Sequence, residues 1–425
     1  MTLSLDQAID YAIKNSFSSR IAREDIKSAK KQKWETTTIG FPSVDAGIDY
    51  QNFLKQQVSL IPAEFFGGTP GEFTEVIFGT KQNLNLAITL KQLLFDGSYF
   101  VGLESARTFL KISEQAKEKT ELLTREAVIN AYGNVLISEE SIKILKGNIQ
   151  ILEKSLNDTQ KIFENGLTEE ENVEQLEITL GNIKSQLSSV IRLKAIAYQM
   201  LNLTMGNDID VKLTLTDTLD SLTRSNIDLK LISESFNLNN HIDYRIAEND
   251  RESKRLLMQL EKSRALPTLN AFINYGTQMN SNSTSLLDFS GQRGFNYSLL
   301  GVSLNVPLFS SLARSSRTQR AKINLDIADI QLKETEERLS LEAKMARSDY
   351  QLSIENYQTA KKNLDLAEKI EKKQRIKFVE GISSSFDLTQ AQNQLYSQQQ
   401  TFIQSMLDVI AKKAALENAL NIPLK

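Results

Sequence analysis

The segments Leu84-Asn85-Leu86-Ala87-Ile88-Thr89-Leu90 and Leu300-Gly301-Val302-Ser303-Leu304-Asn305-Val306 each alternate an apolar residue with a small or polar one. Successive side chains of an extended strand point to opposite faces, so each segment reads as a strand with one apolar and one polar face. Val44, Ala46, Ile48 and Tyr50 alternate with Asp45, Gly47 and Asp49 in the same way. Leu269, Ala271, Ile273 and Tyr275 alternate with Asn270 and Asn274, with Phe272 intruding on the polar side. The pattern predicts strands at about 43–53, 82–93, 268–278 and 297–307. Alternation of this length suits a half-buried soluble strand and equally a strand crossing an outer membrane. The stretch Gln51–Lys81 between the first pair reads as a long aromatic, Gly-bearing loop, and Gly276–Asn296 as a Ser/Asn-rich one. Long loops with aromatic residues near strand ends favour the membrane option.

Composition narrows the function classes. The 425 residues carry 50 Lys+Arg against 53 Asp+Glu, a formal charge of −3, so no global excess draws the chain to nucleic acid. With no Cys, disulfides, thiolate metal sites and Cys nucleophiles are excluded. The single His, His241, removes multi-His metal sites and disfavours Ser-His-Asp catalysis. No acidic pair sits in a pocket-like context, so no enzyme activity and no cofactor is expected. No run approaches the 18 apolar residues of a membrane-spanning helix. The opening Met1-Thr2-Leu3-Ser4-Leu5 shows no signal-peptide pattern, which fits a cytoplasmic chain or a mature secreted one.

The chain repeats itself. Arg20-Ile21-Ala22 recurs as Arg245-Ile246-Ala247, and Phe41-Pro42-Ser43-Val44-Asp45-Ala46 as Leu266-Pro267-Thr268-Leu269-Asn270-Ala271. Leu94-Phe95 recurs as Leu308-Phe309, and Phe163, Gly166, Gln175 and Leu180 as Phe378, Gly381, Gln390 and Leu395. The spacing between copies changes once, inside the long first loop, as a duplication with one insertion would produce. The halves are residues 1–206 and 229–425, with an equatorial linker at 207–228 in which Val211–Leu215 suits a short strand. Each half reads helix, strand, loop, strand, very long helix, turn, helix.

The long helices define the rest. No Pro occurs from about Ser98 to Phe163 or from about Leu312 to Phe378, so each would be a rod of about 95 Å. Leu145, Ile149, Leu152, Leu156, Thr159 and Phe163 step by fours and threes, the spacing of a coiled-coil seam. Ala321, Leu325, Ala328 and Leu332 do likewise, while Ile323, Ile327 and Ile330 make a second apolar row. Two seams call for neighbours on two sides, as in a wall of helices. Four strands are too few to close a barrel, and their edges cannot stay unpaired in lipid. Three chains together would supply twelve.

The residues resemble the TolC-like outer-membrane efflux proteins. The likeness lies in the opening Leu3-Ser4-Leu5-Asp6-Gln7-Ala8 with Ala12 and Asn15, and in the strands begun at Pro42 and Pro267. The strand exits Leu93-Leu94-Phe95-Asp96-Gly97 and Pro307-Leu308-Phe309-Ser310 and the turns at 163–180 and 378–395 carry it further. Leu93 stands where the family has Pro, and Ser310-Ser311 where it has Asp-Gly. The resemblance implies a mainly α chain with β: a homotrimer with a 12-stranded transmembrane β-barrel continued by a long periplasmic α-helical barrel. It implies a passive exit channel of a tripartite efflux or type I secretion system, in the outer membrane of a Gram-negative bacterium. The partners implied are a periplasmic adaptor (membrane fusion) protein, an inner-membrane transporter of RND, ABC or MFS type, and outer-membrane lipid. It also implies a mature chain without its signal peptide. The competing reading is a soluble or periplasmic coiled-coil scaffold or adaptor with β-hairpin insertions.

Site residues are carried over from the same resemblance. An acidic ring six residues after the second turn glycine falls on Asp387, with Asn172 its first-half counterpart and Gln390 where the family often has a second Asp. Three Asp387 carboxylates in a ring could bind cations and repel one another; Asp387 could equally cap the returning helix. Asn165, Gly166 and Leu167, and Glu380, Gly381 and Ile382, resemble the tips that meet the adaptor; as plain turns they would need nothing more than Gly. Tyr50, Phe53, Tyr275 and Tyr297 suit an aromatic membrane interface, and Phe95 and Phe309 either that or corner packing. Trp34 and His241 read as structural, and Glu169–Glu171 and Lys27–Lys33 as solvated helix faces.

Overall fold

A computed structural model of the chain describes residues 1–422. In order, its elements are β1 (Thr2–Leu3), α1 (Leu5–Asn15), α2 (Phe17–Thr38), β2 (Ser43–Asn52), β3 (Val58–Pro62), β4 (Phe73–Ile77), β5 (Gln82–Asp96), α3 (Gly97–Glu164) and α4 (Glu170–Met205). There follow β6 (Thr214–Leu215), α5 (Leu219–Ser225), α6 (Leu229–Ile232), α7 (Ile242–Ser263), β7 (Thr268–Ser281), β8 (Phe295–Asn305), α8 (Ala313–Val379) and α9 (Ser385–Ala419). The chain folds into two compact units: one holds Met1–Ala29, Leu110–Glu252 and the chain from Asp326 onward, the other Lys30–Phe109 and Ser253–Leu325.

The second unit is built on a four-stranded antiparallel sheet, order β2-β5-β7-β8. Its register joins the four alternating segments into one surface: Val44 lies opposite Leu90, Leu90 opposite Ile273, and Ile273 opposite Leu300. Paired residues share a face. One face therefore carries Val44, Ile48, Leu86, Ile88, Ile273 and Val302, and the other Asp45, Asp49, Asn85, Thr89, Asn274 and Gln278. The apolar face has no cover: Ile48 is 73% exposed, Leu300 72% and Val302 64%. A bulge between Leu93 and Phe95 shifts the register by one and brings Phe95 opposite Leu269, onto the apolar face. Phe272 lies across from Gly301, where a Cβ would come within 2.3 Å of its ring. An aromatic ring lying over a cross-strand glycine covers the backbone that the missing side chain leaves bare.

The stretch read as a loop between Gln51 and Lys81 is not structureless. It contains the two-stranded hairpin β3–β4, with Val58 opposite Ile77 and Pro62 opposite Phe73. Gly67, Pro70 and Gly71 in its turn masked the short strands on either side.

The first unit is helical, around a core to which α1, α3, α4, α5, α8 and α9 contribute, among them Val128, Tyr132, Leu201, Tyr350, Ile403 and Leu416. The opening motif acquires a physical explanation here. Ser4 and Gln7 close a capping box at the start of α1, while Leu5, Ala8 and Ala12 point into the core. Thr2–Leu3 pairs in parallel with Thr214–Leu215, so the connector strand is shorter than the alternation from Val211 suggests. Ser4 caps α1 directly after Leu3. Tyr132 donates to an Asp217 carboxylate oxygen (2.8 Å) that also accepts from the Leu5 N–H (2.7 Å), tying α3, the connector and the N-terminus together. The Tyr350 hydroxyl does the same for α8, donating to the Asn226 carbonyl (2.6 Å) and accepting from the Asp228 N–H (2.8 Å).

Farther along α3, Leu145, Ile149 and Leu152 pack on Leu176, Leu180 and Ile183 of α4, with Leu156 at the edge. This is the seam that the four-three spacing predicts. On α8, Ala321 and Ala328 are buried, whereas Ile323, Ile327 and Ile330 are exposed, as are Leu341, Met345 and Leu352. The second seam faces outward from a single chain.

Candidate functional site

The turns joining α3 to α4 and α8 to α9 are built alike. Gly166 and Gly381 take φ of 72° and 73°, and a Cβ on either would meet nothing within 4 Å. The backbone angle, not crowding, selects glycine there. The Leu167 N–H returns to the Ile162 carbonyl (3.1 Å) and the Ile382 N–H to that of Lys377 (2.8 Å), a helix-ending pattern that satisfies carbonyls left open by the last turn. In such turns the residue after Gly often packs back onto the helix. Here Leu167 is 78% and Ile382 74% exposed, and Phe386 nearby is exposed too. Asn165 and Glu380 are also exposed, so both turns present an apolar residue between polar flanks.

The structure brings the two turns together around a polar cleft of about 350 Å³. Its walls include Leu167, Asn172 and Gln175 from one side and Gly381, Ser384 and Phe386 from the other. Ser385 donates to the Gln175 side-chain oxygen (2.9 Å), linking α4 to α9. Asn172 is occupied locally, donating to the Thr168 hydroxyl (2.8 Å). Asp387 stands outside this cleft. It occupies the third position of α9 and closes a capping box: its N–H donates to Ser384 Oγ (3.2 Å), while its carboxylate accepts from the Ser384 hydroxyl (2.8 Å) and N–H (3.2 Å). The cap itself is Ser384, three residues before the Asp that the sequence singles out. Gln390 lies exposed one turn farther along. A second groove, about 470 Å³, runs between Ile151–Ile162 of α3 and Arg375–Glu380 of α8. Its lining mixes apolar Ile151, Ile162, Ile376 and Val379 with charged Lys154, Asp158, Lys161 and Arg375.

Two buried polar groups behind the turns escaped the sequence reading. Glu371 of α8 is 6% exposed, with Arg375 on the same helix 3.4 Å away. Burial pushes its carboxyl above the ordinary range, against the opposing pull of Arg375. It falls four residues after buried Ala367, so the heptad count could have found it. Gln392 of α9 is 1% exposed, and neither its amide nitrogen nor its oxygen has a partner. Because the folded state raises the Glu371 pKa, it favours the protonated form and penalises the ionised one. Glu371→Gln is therefore expected to raise the melting temperature at pH 7, and the gain should shrink as pH falls through the folded pKa. Calorimetry of both proteins between pH 4 and pH 8 would test this; a gain independent of pH would remove burial of charge as its cause.

The aromatic residues divide. Tyr50 and Tyr275 share the apolar face of the sheet, and Phe53 follows β2 directly. Tyr297 lies on the polar face, opposite Gly276, with its hydroxyl donating to Asn85 (2.9 Å). A lipid-facing girdle cannot include it, and counting by twos back from Leu299 gives the same answer. The Tyr50 hydroxyl donates to Gln82 (2.8 Å), a fully buried residue whose amide also donates to the carbonyls of Ser283 (2.8 Å) and Ser285 (2.7 Å). Gln82 thus holds the second loop against the sheet. Phe95 is tilted against Phe100, and Phe309 is 82% exposed. Among the described residues no group of acidic or His side chains could hold a metal, and no helix is long and apolar enough to cross a membrane.

Comparison with known proteins gives a consistent picture. The family described as outer membrane efflux protein matches residues 235–421. The probable efflux pump outer membrane protein TtgC of Pseudomonas putida is 23% identical over 321 residues, 75% of this chain; the match spans 64% of that relative's length. The outer membrane protein VceC of Vibrio cholerae superposes with a TM-score of 0.73 at 16% identity, covering 98% of this chain and 95% of VceC. The CmeC outer membrane channel of Campylobacter jejuni superposes with a TM-score of 0.74 at 16% identity, covering 98% and 85%. The second half of the chain thus matches the outer membrane efflux protein family, and the chain over 98% of its length has the fold of the solved outer-membrane proteins VceC and CmeC.

Proposed function

We propose that the protein is the passive exit channel of a tripartite efflux or type I secretion system, working as a homotrimer in the outer membrane of a Gram-negative bacterium. The observation that carries this reading is the four-stranded sheet, apolar on one face, polar on the other, and unpaired along both β2 and β8. In lipid such edges are tolerable only if a neighbouring copy pairs with them. β8 of one copy laid against β2 of the next continues the antiparallel order, and three copies give twelve strands, within the range of known barrels. The apolar face then meets lipid and the polar face lines water. The exposed second seam of α8 finds its neighbour in the same ring.

In this reading the turns at Gly166 and Gly381 are the periplasmic tips. The groove between α3 and α8, lined by apolar and charged side chains together, accepts a helix of the adaptor, through which an inner-membrane transporter delivers its cargo. Asp387 from three copies forms an acidic constriction. A soluble scaffold would have no use for an uncovered apolar sheet face.

The test is electrical. Detergent-purified protein added to planar bilayers is expected to give stepwise conductance, and a monomer that stays dispersed in detergent-free buffer without conductance would overturn the reading. Within a conducting channel, Asp387→Asn is expected to weaken block by trivalent cations about tenfold or more, as loss of three converging charges should. Unchanged block would remove the ring and leave Asp387 its capping role alone.

A further inference from the structure

The β3–β4 hairpin exposes an apolar stripe that nothing in its own chain covers. Val58, Leu60, Pro62, Phe73 and Ile77 share one of its faces and are all exposed, with Glu75 among them opposite Leu60, while Ile61 and Val76 on the other face are half-buried. Phe65 and Phe66 in its turn and Leu54 and Phe78 at its base are 63% exposed or more. Together these side chains expose roughly 800 Å² of apolar surface, about what one partner contributes to a standard protein interface. A two-stranded ribbon is marginal in water by itself. A surface of this size on such a ribbon calls for a partner.

Topology identifies where that partner lies. β2 ends and β8 begins at the same end of the sheet, because the strands alternate in direction. The hairpin follows β2, and the second loop, 282–294, precedes β8. When β8 of one copy pairs with β2 of the next, the second loop of the first copy stands beside the hairpin of the second. That loop offers exposed Leu286 and Leu287 and leads into exposed Phe295. Residues 54–81 carry Glu64, Glu72 and Glu75 with Lys55 and Lys81 at the hairpin base. The loop carries exposed Arg293 and also Asp288, which accepts from the Ser283 and Ser290 hydroxyls, so charge does not oppose the pairing and the apolar side chains decide it.

We infer that the apolar face of the β3–β4 hairpin docks on the 286–295 segment of a neighbouring copy, clamping the external rim of the ring across each seam between chains. This rests on the ring proposed above and adds a contact that the ring itself does not require. The insertion that lengthens the first half relative to the second supplies this clasp.

The lack of cysteine makes the test clean. Full-length Leu60→Cys and Leu286→Cys chains are co-expressed, purified in detergent and treated with a flexible bis-maleimide. Covalent dimers containing one of each chain are expected, with no dimers when either variant is expressed alone. A seam pair, Ile48→Cys with Leu300→Cys, reports the ring independently. Linkage of the seam pair without linkage of Leu60 to Leu286 overturns the clasp and leaves the ring standing. Dimers from Leu60→Cys alone would mean that hairpins meet one another, which also overturns it. Failure of both pairs overturns the ring and the clasp together.

Discussion

Val302→Arg is expected to cost about 2–4 kcal/mol of stability in a bilayer, the penalty for a cation on the lipid face near the midplane of a barrel. Val302 lies in the row Ala271–Val302 on the apolar side of β8 and is 64% exposed in a single chain. A residue so exposed has no packing to lose, so in water the same change should fall within about 0.5 kcal/mol, as for ordinary surface sites. The two environments therefore give opposite answers for one substitution. Ser303→Arg, one residue on and on the other face opposite Asn270, is the matched control and should cost little in either setting. Denaturant unfolding in lipid vesicles reads the difference directly. Equal costs for the two variants would mean that the faces do not separate lipid from water.

The strands behind this prediction were legible because alternation is local: apolar and polar residues report the two faces without knowledge of any partner. What was not legible depends on pairing. The bulge between Leu93 and Phe95 lies in Leu93-Leu94-Phe95, where every residue is apolar and a change of parity leaves no trace. The β3–β4 ribbon was hidden by turn residues, which signal a loop whether or not strands flank it. In the connector, Val211–Leu215 has strand character throughout, yet only Thr214–Leu215 pairs, with Thr2–Leu3.

The two helix-ending turns were legible for a different reason. A glycine ending a long Pro-free apolar periodicity has few other uses, and both Gly166 and Gly381 adopt the positive φ this implies. Capping at Asp387 could be expected from residue type, but the division of labour with Ser384 depends on where the helix starts, and helix ends drift by a residue or two. The cleft that joins the two turns was beyond reach. Its walls come from residues more than 200 positions apart, and no periodicity says which hairpin lies beside which. Gln392 is the sharpest case: four residues after Leu388 and three before Leu395, its spacing places it on the buried seam, but nothing in the sequence says that its amide finds no partner there.

Tyr132→Ala is expected to cost about 3–5 kcal/mol, the range for removing a large buried ring. The ring is fully buried in the helical core, and its hydroxyl reaches both the Leu3 carbonyl and Asp217, so the loss also frees β1 and the connector from α3. Tyr132→Phe separates the two contributions. It keeps the packing and removes one donor from Asp217, which retains the Leu5 N–H, so about 1–3 kcal/mol is expected. The pH dependence distinguishes this from generic core damage. Burial first, and then the hydrogen bond to Asp217, raises the Tyr132 pKa above its ordinary 10.0. The folded state thus prefers the protonated phenol, and its contribution is complete below about pH 10 and lost as pH rises through the folded value. Tyr198, Tyr350 and Tyr396 shift in the same direction, so the unmodified protein should lose stability steeply above pH 10. Tyr132→Phe should lose it less steeply, so that the gap between the two proteins narrows as the solution becomes alkaline. Melting curves from pH 8 to pH 11 decide the point: parallel slopes would show that the phenol of Tyr132 is not held protonated by the fold, and that its bond to Asp217 is not what joins α3 to the N-terminus.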